Sequence, residues 1–148
     1  MDKLFESYVA KKLNIEMMET DYDVSTQDRV YYLFDEPERF KLRPDIVISK
    51  DSSKVILDTK WKNLYNKEKD NYGISQSDMY QMYAYSKKYQ TRNIWLLYPL
   101  NQEMIEYKTN LLKPYEANIE DNVSVSVYFV DLKDIDNSIS ELKQLITK

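Results

Sequence analysis

A chain of 148 residues with no cysteine and no histidine is one domain's worth of sequence, long enough to bury a sizeable core. It cannot carry disulfides, thiolate or imidazole metal ligands, or a nucleophile activated by histidine. A formal net charge of −4 lacks the basic excess of a free-standing DNA binder, and a single glycine, Gly73, excludes a glycine-rich phosphate loop.

Residues 2–15 are predicted to form a helix, because Leu4, Phe5, Tyr8, Val9, Lys12 and Leu13 recur at helical spacing, with Asp2 as N-cap. "YDVST" and "VYYLF" are expected to be the two strands of a hairpin turning at Gln27-Asp28, and "DEPERFK" (35–41) a turn-rich link. "PDIVIS" and "KVILDTKW" read as adjacent strands joined by "KDSS". Residues 62–73 alternate in charge and read as a mobile, solvated loop. Residues 75–89 read as a helix capped by Ser75 or Ser77, with Lys87 and Lys88 in its last turn to suit the helix dipole. "NIWLLYP" is a buried strand ended by Pro99, and "EMIEYKT" and "VSVSVYFVDL" are two further strands. "DIDNSISELKQLITK" closes as a helix capped by Asp134 or Asp136. The order implies one α/β domain over 1–148, a mixed sheet flanked by helices. No apolar run approaches the ~20 residues of a membrane span. The acids in "MDKLFESYVAKK" argue against a signal peptide.

The chemistry concentrates in "RPDIVISKDSSKVILDTKWK". Residues two apart in a strand share a face, so Asp58 and Lys60 project together while Val55, Leu57 and Thr59 face the other way. Asp45 opens the preceding strand. If the two strands pair, its carboxylate approaches that of Asp58, and two close carboxylates repel unless a cation lies between them. With no histidine or cysteine, that cation is a hard one with oxygen ligands: magnesium, manganese or calcium. The backbone carbonyl of Thr59 offers a further oxygen. Lys60 is placed to orient and help deprotonate an attacking water and to stabilise charge building on a phosphate. Glu6, on the first helix, could complete the metal shell directly or through water.

Asp78, Gln81 and Tyr85 share one face of the second long helix. Gln81 and Tyr85 suit hydrogen bonding to a phosphate or a water near the strand acids. Asp78 reads as an early-helix acid favoured by the dipole, Trp61 as a packing residue rather than a base stacker, and Lys62, Lys67 and Lys69 as solvated cations. Tyr85 is balanced between packing and site. Acid-x-lysine also occurs at Glu106–Lys108, Asp131–Lys133 and Glu141–Lys143, but only Asp58–Lys60 follows a Pro-Asp at strand-turn-strand distance.

"LFESYV", "PDIVI", "VILDTKWK" and "DMYQMYAY" together resemble the PD-(D/E)xK nuclease fold. More narrowly they are similar to the nuclease domain of McrC, the cleavage subunit of McrBC-type GTP-dependent restriction systems, over roughly residues 4–100. The resemblance implies a restriction-endonuclease-like core, with Asp45 and Asp58 as metal ligands, Lys60 as catalytic lysine, Glu6 as the helical glutamate, and Gln81 and Tyr85 as an auxiliary pair. It implies Mg²⁺-dependent cleavage of double-stranded DNA (Mn²⁺ substituting), a McrB-like AAA+ GTPase partner that recognises DNA at modified cytosine, and a prokaryotic cytoplasm. McrC-like proteins usually carry an N-terminal region that engages the GTPase, so this chain is expected to be the C-terminal nuclease domain of a longer protein or an unusually short form. Pairing of two nuclease domains is the expected route to a double-strand break. A RecB-like or resolvase-like repair nuclease, or a non-catalytic DNA-binding or assembly module on the same fold, stays open.

Overall fold

The computed structural model describes residues 1–107, 113–117 and 122–148. Its elements in chain order are α1 (Asp2–Met17), β1 (Asp23–Thr26), β2 (Tyr32–Asp35), β3 (Glu38–Lys41), β4 (Ile46–Lys50), β5 (Ser53–Thr59), α2 (Gln76–Tyr89), β6 (Ile94–Pro99), β7 (Tyr115–Ala117), β8 (Val123–Val130) and α3 (Ile135–Ile146). Six strands form one mixed sheet in the order β1-β4-β5-β6-β8-β7, and β2 and β3 form a separate two-stranded ribbon.

β4 and β5 pair antiparallel, from Ile46 opposite Leu57 to Lys50 opposite Ser53. β5 then pairs parallel with β6, and β6 parallel with β8. Central parallel strands are covered on both faces, so they read as continuous apolar runs rather than alternating ones. β6 is buried at every residue. β8 alternates over its first half and is then buried throughout.

The two faces carry two cores. Met82 and Tyr85 of α2 pack with Ile56, Leu64, Leu96 and Tyr98 on one side. α1 and α3 pack with Val55, Leu57, Leu97 and Val130 on the other. Alternation along β5 therefore sends Val55 and Leu57 towards α1 and α3, and Ile56 towards α2, as the two-residue period requires. Among the described residues, no helix is long and apolar enough to cross a membrane.

The structure corrects several sequence expectations. β1 pairs with β4, Asp23 opposite Ser49 through Thr26 opposite Ile46, and not with the segment that follows it. The hairpin lies one step later: β2 pairs with β3, so "DEPERFK" is mostly strand, turning only at Glu36-Pro37. "EMIEYKT" is not a strand over its described part, since residues 102–107 form turns. Lys108 and Thr109 lie outside the described residues. The short edge strand β7, which follows, has no strand signal of its own in the sequence.

Residues 62–73 are not merely a solvated loop. Leu64 and Tyr72 are buried in the α2-side core, and a short 3₁₀ segment (Glu68–Gly73) leads into α2. Asp2 sits inside the first turn of α1, with Met1 at the cap position and no side-chain cap bond. Asp134 holds the cap position of α3 without a side-chain bond, and Asp131 instead accepts the Lys133 N–H one turn earlier. Ser75 caps α2 by accepting the Asp78 N–H at 3.2 Å.

Candidate active site

The site forms where β4 begins and β5 ends. The antiparallel register sets Ile46 opposite Leu57, so Asp45 and Asp58, one residue outside that pair on each strand, arrive side by side. They interlock through the backbone. The Asp45 N–H donates to Asp58 Oδ1 at 3.1 Å. The Thr59 N–H and hydroxyl both donate to Asp45 Oδ2, each at 2.8 Å. Thr59 thus fixes Asp45 through donors on both its main chain and its side chain.

Asp58 is 3% exposed. Burial, and next the neighbouring charge of Asp45, push its pKa up to about 7, against the opposing pull of Lys60. Lys60 Nζ lies 2.9 Å from Asp58 Oδ2 and 3.4 Å from Asp78 Oδ1, and donates to Gln81 Oε1 at 3.0 Å. Burial opposes the charge of Lys60, but Asp58 and then Asp78 override it and hold the ammonium above the usual lysine range. Lys60 is therefore a fixed cation with three oxygen neighbours.

α2 supplies the second wall. Gln81 Nε2 donates to the Tyr85 hydroxyl at 3.0 Å, so Lys60, Gln81 and Tyr85 form one chain of contacts. Tyr85 is 1% exposed and belongs to the α2-side core as well. Burial first, then Asp58 and Asp45, push its pKa up, so it acts as a neutral phenol. Tyr85 is a packed ring whose hydroxyl meets Gln81.

α1 supplies Glu6. Burial, and next the charge of Asp45, raise its pKa. Gln27 Nε2 donates to Glu6 Oε2.

All six side chains expected from the sequence, Glu6, Asp45, Asp58, Lys60, Gln81 and Tyr85, thus fall into one connected cluster with Thr59. Three further residues join them. Asp78 is more than a dipole-favoured acid, because it pairs with Lys60. Its position one turn before Gln81 on the same helical face was the available signal. Gln27 gave no signal, because its place depends on the pairing of β1 with β4. Tyr98, on β6, has a buried hydroxyl with no hydrogen-bond partner among the described residues. Burial, then Asp78 and Asp58, raise its pKa. Trp61 lies beyond the end of β5 and packs on Phe5 of α1, ring centroids 5.3 Å apart, while remaining 38% exposed.

The donor set suits a hard divalent cation. Two oxygen-bearing acids face each other at a cost that shows in the raised pKa of Asp58, and a cation between them would remove that cost. Among the described residues, no three acidic side chains close into a ready-made metal cage.

No curated protein matches the sequence. The fold is similar to that of a chain in the refined half-complex from a tetradecameric assembly of Thermococcus gammatolerans McrB AAA+ hexamers with bound McrC. The TM-score is 0.69 at 22% identity, and the match covers 99% of this chain and 33% of that one. This chain therefore spans about a third of the length of the chain it matches, and at that identity the likeness is one of fold. The family model for the McrBC 5-methylcytosine restriction system component matches residues 1–99, which hold every acid, amide and lysine of the cluster, and the chain belongs to that family.

Proposed function

We propose that this chain is a PD-(D/E)xK nuclease domain, the DNA-cutting part of a McrBC-type restriction system, and that it hydrolyses phosphodiester bonds in double-stranded DNA with Mg²⁺ or Mn²⁺. The observation that carries the reading is the interlock of Asp45 and Asp58 with Lys60 salt-bridged to the second acid. Membership of the restriction family supports it independently.

Asp45 and Asp58 would hold the cation, with Thr59 fixing Asp45 and its backbone carbonyl available as a further oxygen, and Glu6 would add an oxygen directly or through water. When bound there, the cation supplies Lewis-acid polarisation of the phosphate and a lowered pKa for water. Lys60, kept protonated by Asp58 and Asp78, stabilises negative charge growing on the phosphate oxygens. That state favours electrostatic stabilisation over proton abstraction. Gln81 holds Lys60 in place and is itself held by Tyr85. Attack of water on phosphorus breaks the bond to the 3′ oxygen, which takes up a proton and leaves as a 3′ hydroxyl, and the phosphate stays on the 5′ end.

The partner in this reading is a McrB-like AAA+ GTPase that recognises and moves the DNA, in a prokaryotic cytoplasm. An acidic nuclease domain then relies on its partner and on bound cations to approach a polyanion. One site cuts one strand, so a double-strand break calls for two nuclease domains.

The test is cleavage of an end-labelled duplex containing 5-methylcytosine, in Mg²⁺, with and without the GTPase and GTP. Cuts bearing 5′ phosphates, reduced about 10²–10³-fold by Lys60→Ala, are expected. Metal-independent cuts, or full activity in a folded Lys60→Ala protein, would contradict the assignment.

A further inference from the structure

β1 ends at Thr26, and the next residue turns sharply. Gln27 has φ 54°, in the left-handed region that non-glycine residues enter at a cost. The turn brings two hydrogen bonds. The Gln27 backbone N–H donates to the Asp45 carbonyl at 3.0 Å, and its side-chain Nε2 donates to Glu6 Oε2. One residue thereby ties together two segments that nothing local in the sequence connects, the start of β4 and the first turns of α1.

Glu6 needs such a tie. Through Gln27 it is held near the segment that carries Asp45, and two like charges push apart. A glutamate on a helix surface has flexible torsions and can swing to water. An amide donor on Oε2 satisfies one oxygen and opposes that swing. Backbone strain kept for the sake of a side-chain contact is a feature of functional sites.

We propose that Gln27 is a positioning residue: its amide holds the Glu6 carboxylate near the start of β4, so that α1 presents an acceptor to the water shell of a divalent cation held by Asp45 and Asp58. This rests on the nuclease reading for the cation itself, and it deepens that reading by assigning Glu6 its place and β1 its purpose. Gln27 acts through Glu6 and touches no reacting atom.

The experiment is Mn²⁺ titration by calorimetry, without DNA, on the whole chain and on Gln27→Met, Gln27→Asn, Glu6→Gln and the Gln27→Met/Glu6→Gln pair. Thermal melts confirm folding. Gln27→Met keeps the length and loses the donor, and should weaken Mn²⁺ about tenfold, the lower end for partners of metal ligands. Glu6→Gln should weaken it at least as much, and the pair no more than Glu6→Gln alone, because both changes act through the same Glu6 carboxylate. Gln27→Asn is the discriminating variant. Asparagine tolerates the left-handed backbone well but is one methylene too short to reach Glu6. It should melt no lower than wild type yet bind Mn²⁺ as weakly as Gln27→Met. Wild-type affinity in Gln27→Asn would assign Gln27 to the turn alone and overturn the proposal, as would additive losses in the pair. A wild-type chain that takes up no Mn²⁺ would remove the nuclease reading together with this one, whereas Mn²⁺ binding indifferent to Gln27 would remove this one only.

Discussion

Asp58 burdens the fold that carries it. Its pKa of about 7 stands well above the ordinary 3.8, because burial and Asp45 disfavour the charge more than Lys60 favours it. Between those two values the folded chain holds a proton that the unfolded chain has released. Stability therefore falls as pH rises through that window, and the full cost stands above pH 7. Asp58→Asn removes the charge and keeps the shape. Without metal, the variant should be more stable than wild type at pH 8, by about 1–3 kcal/mol, and the gain should shrink towards zero at pH 4. Melting curves at the two pH values measure it, and an equal difference at both would show that the charge of Asp58 is not what destabilises the fold. The same variant should lose cleavage, a trade of stability for function seen where active sites hold strained charges. Asp45, Asp58 and Lys60 were legible from sequence because a short antiparallel turn sets their register locally. Gln27 was not, since its role needs a strand partner about twenty residues away in sequence. Asp78 was underestimated because a dipole-favoured acid and a lysine partner look alike in a helix's first turn.

At the scale of elements, the pieces read correctly were those with strong patterns: α1, β4, β5, α2, β6, β8 and α3. Segments buried on both faces, or helices with an apolar side, carry their own signal. The stretch 20–41 failed for a physical reason. Its three strands have four residues each and hardly a buried side chain, so their pairing is decided by tertiary context rather than by propensity. "EMIEYKT" misled in the opposite way. Met104 alone is buried among its described residues, held by a turn in which its N–H donates to Asn101.

The approach to α2 carries its own prediction. Gly73 has φ +88°, and a Cβ there would lie 2.6 Å from Cε1 of Tyr65. Gly73→Ala should destabilise the chain by about 2 kcal/mol through strain and crowding together. Because Gly73 sits just before the Ser75 cap, it should also disturb the helix that presents Asp78 and Gln81 to Lys60. Denaturant unfolding gives the first effect, and DNA cleavage at a temperature where the variant is folded gives the second. A variant as stable as wild type would show that Tyr65 moves aside freely.

At the scale of the whole molecule, the fold serves to bring three elements to one point. The β4–β5 turn aligns the acids, α2 crosses behind Lys60, and α1 closes the side with Glu6. The two cores, one on each face of the sheet, hold these elements, and the charged side chains of the cluster are not members of either core. Removing one site charge should therefore leave the domain folded. The central claim, that the aspartate pair and Lys60 cut DNA with a bound cation, is tested most directly by nicking of supercoiled plasmid in Mg²⁺ or Mn²⁺, wild type against Asp58→Ala, with a McrB-like GTPase and GTP supplied in a parallel set. Metal-dependent nicking in the wild type that disappears in a folded Asp58→Ala chain is the expected result. Undiminished nicking by Asp58→Ala, or none by the wild type with metal, partner and GTP all present, would contradict it.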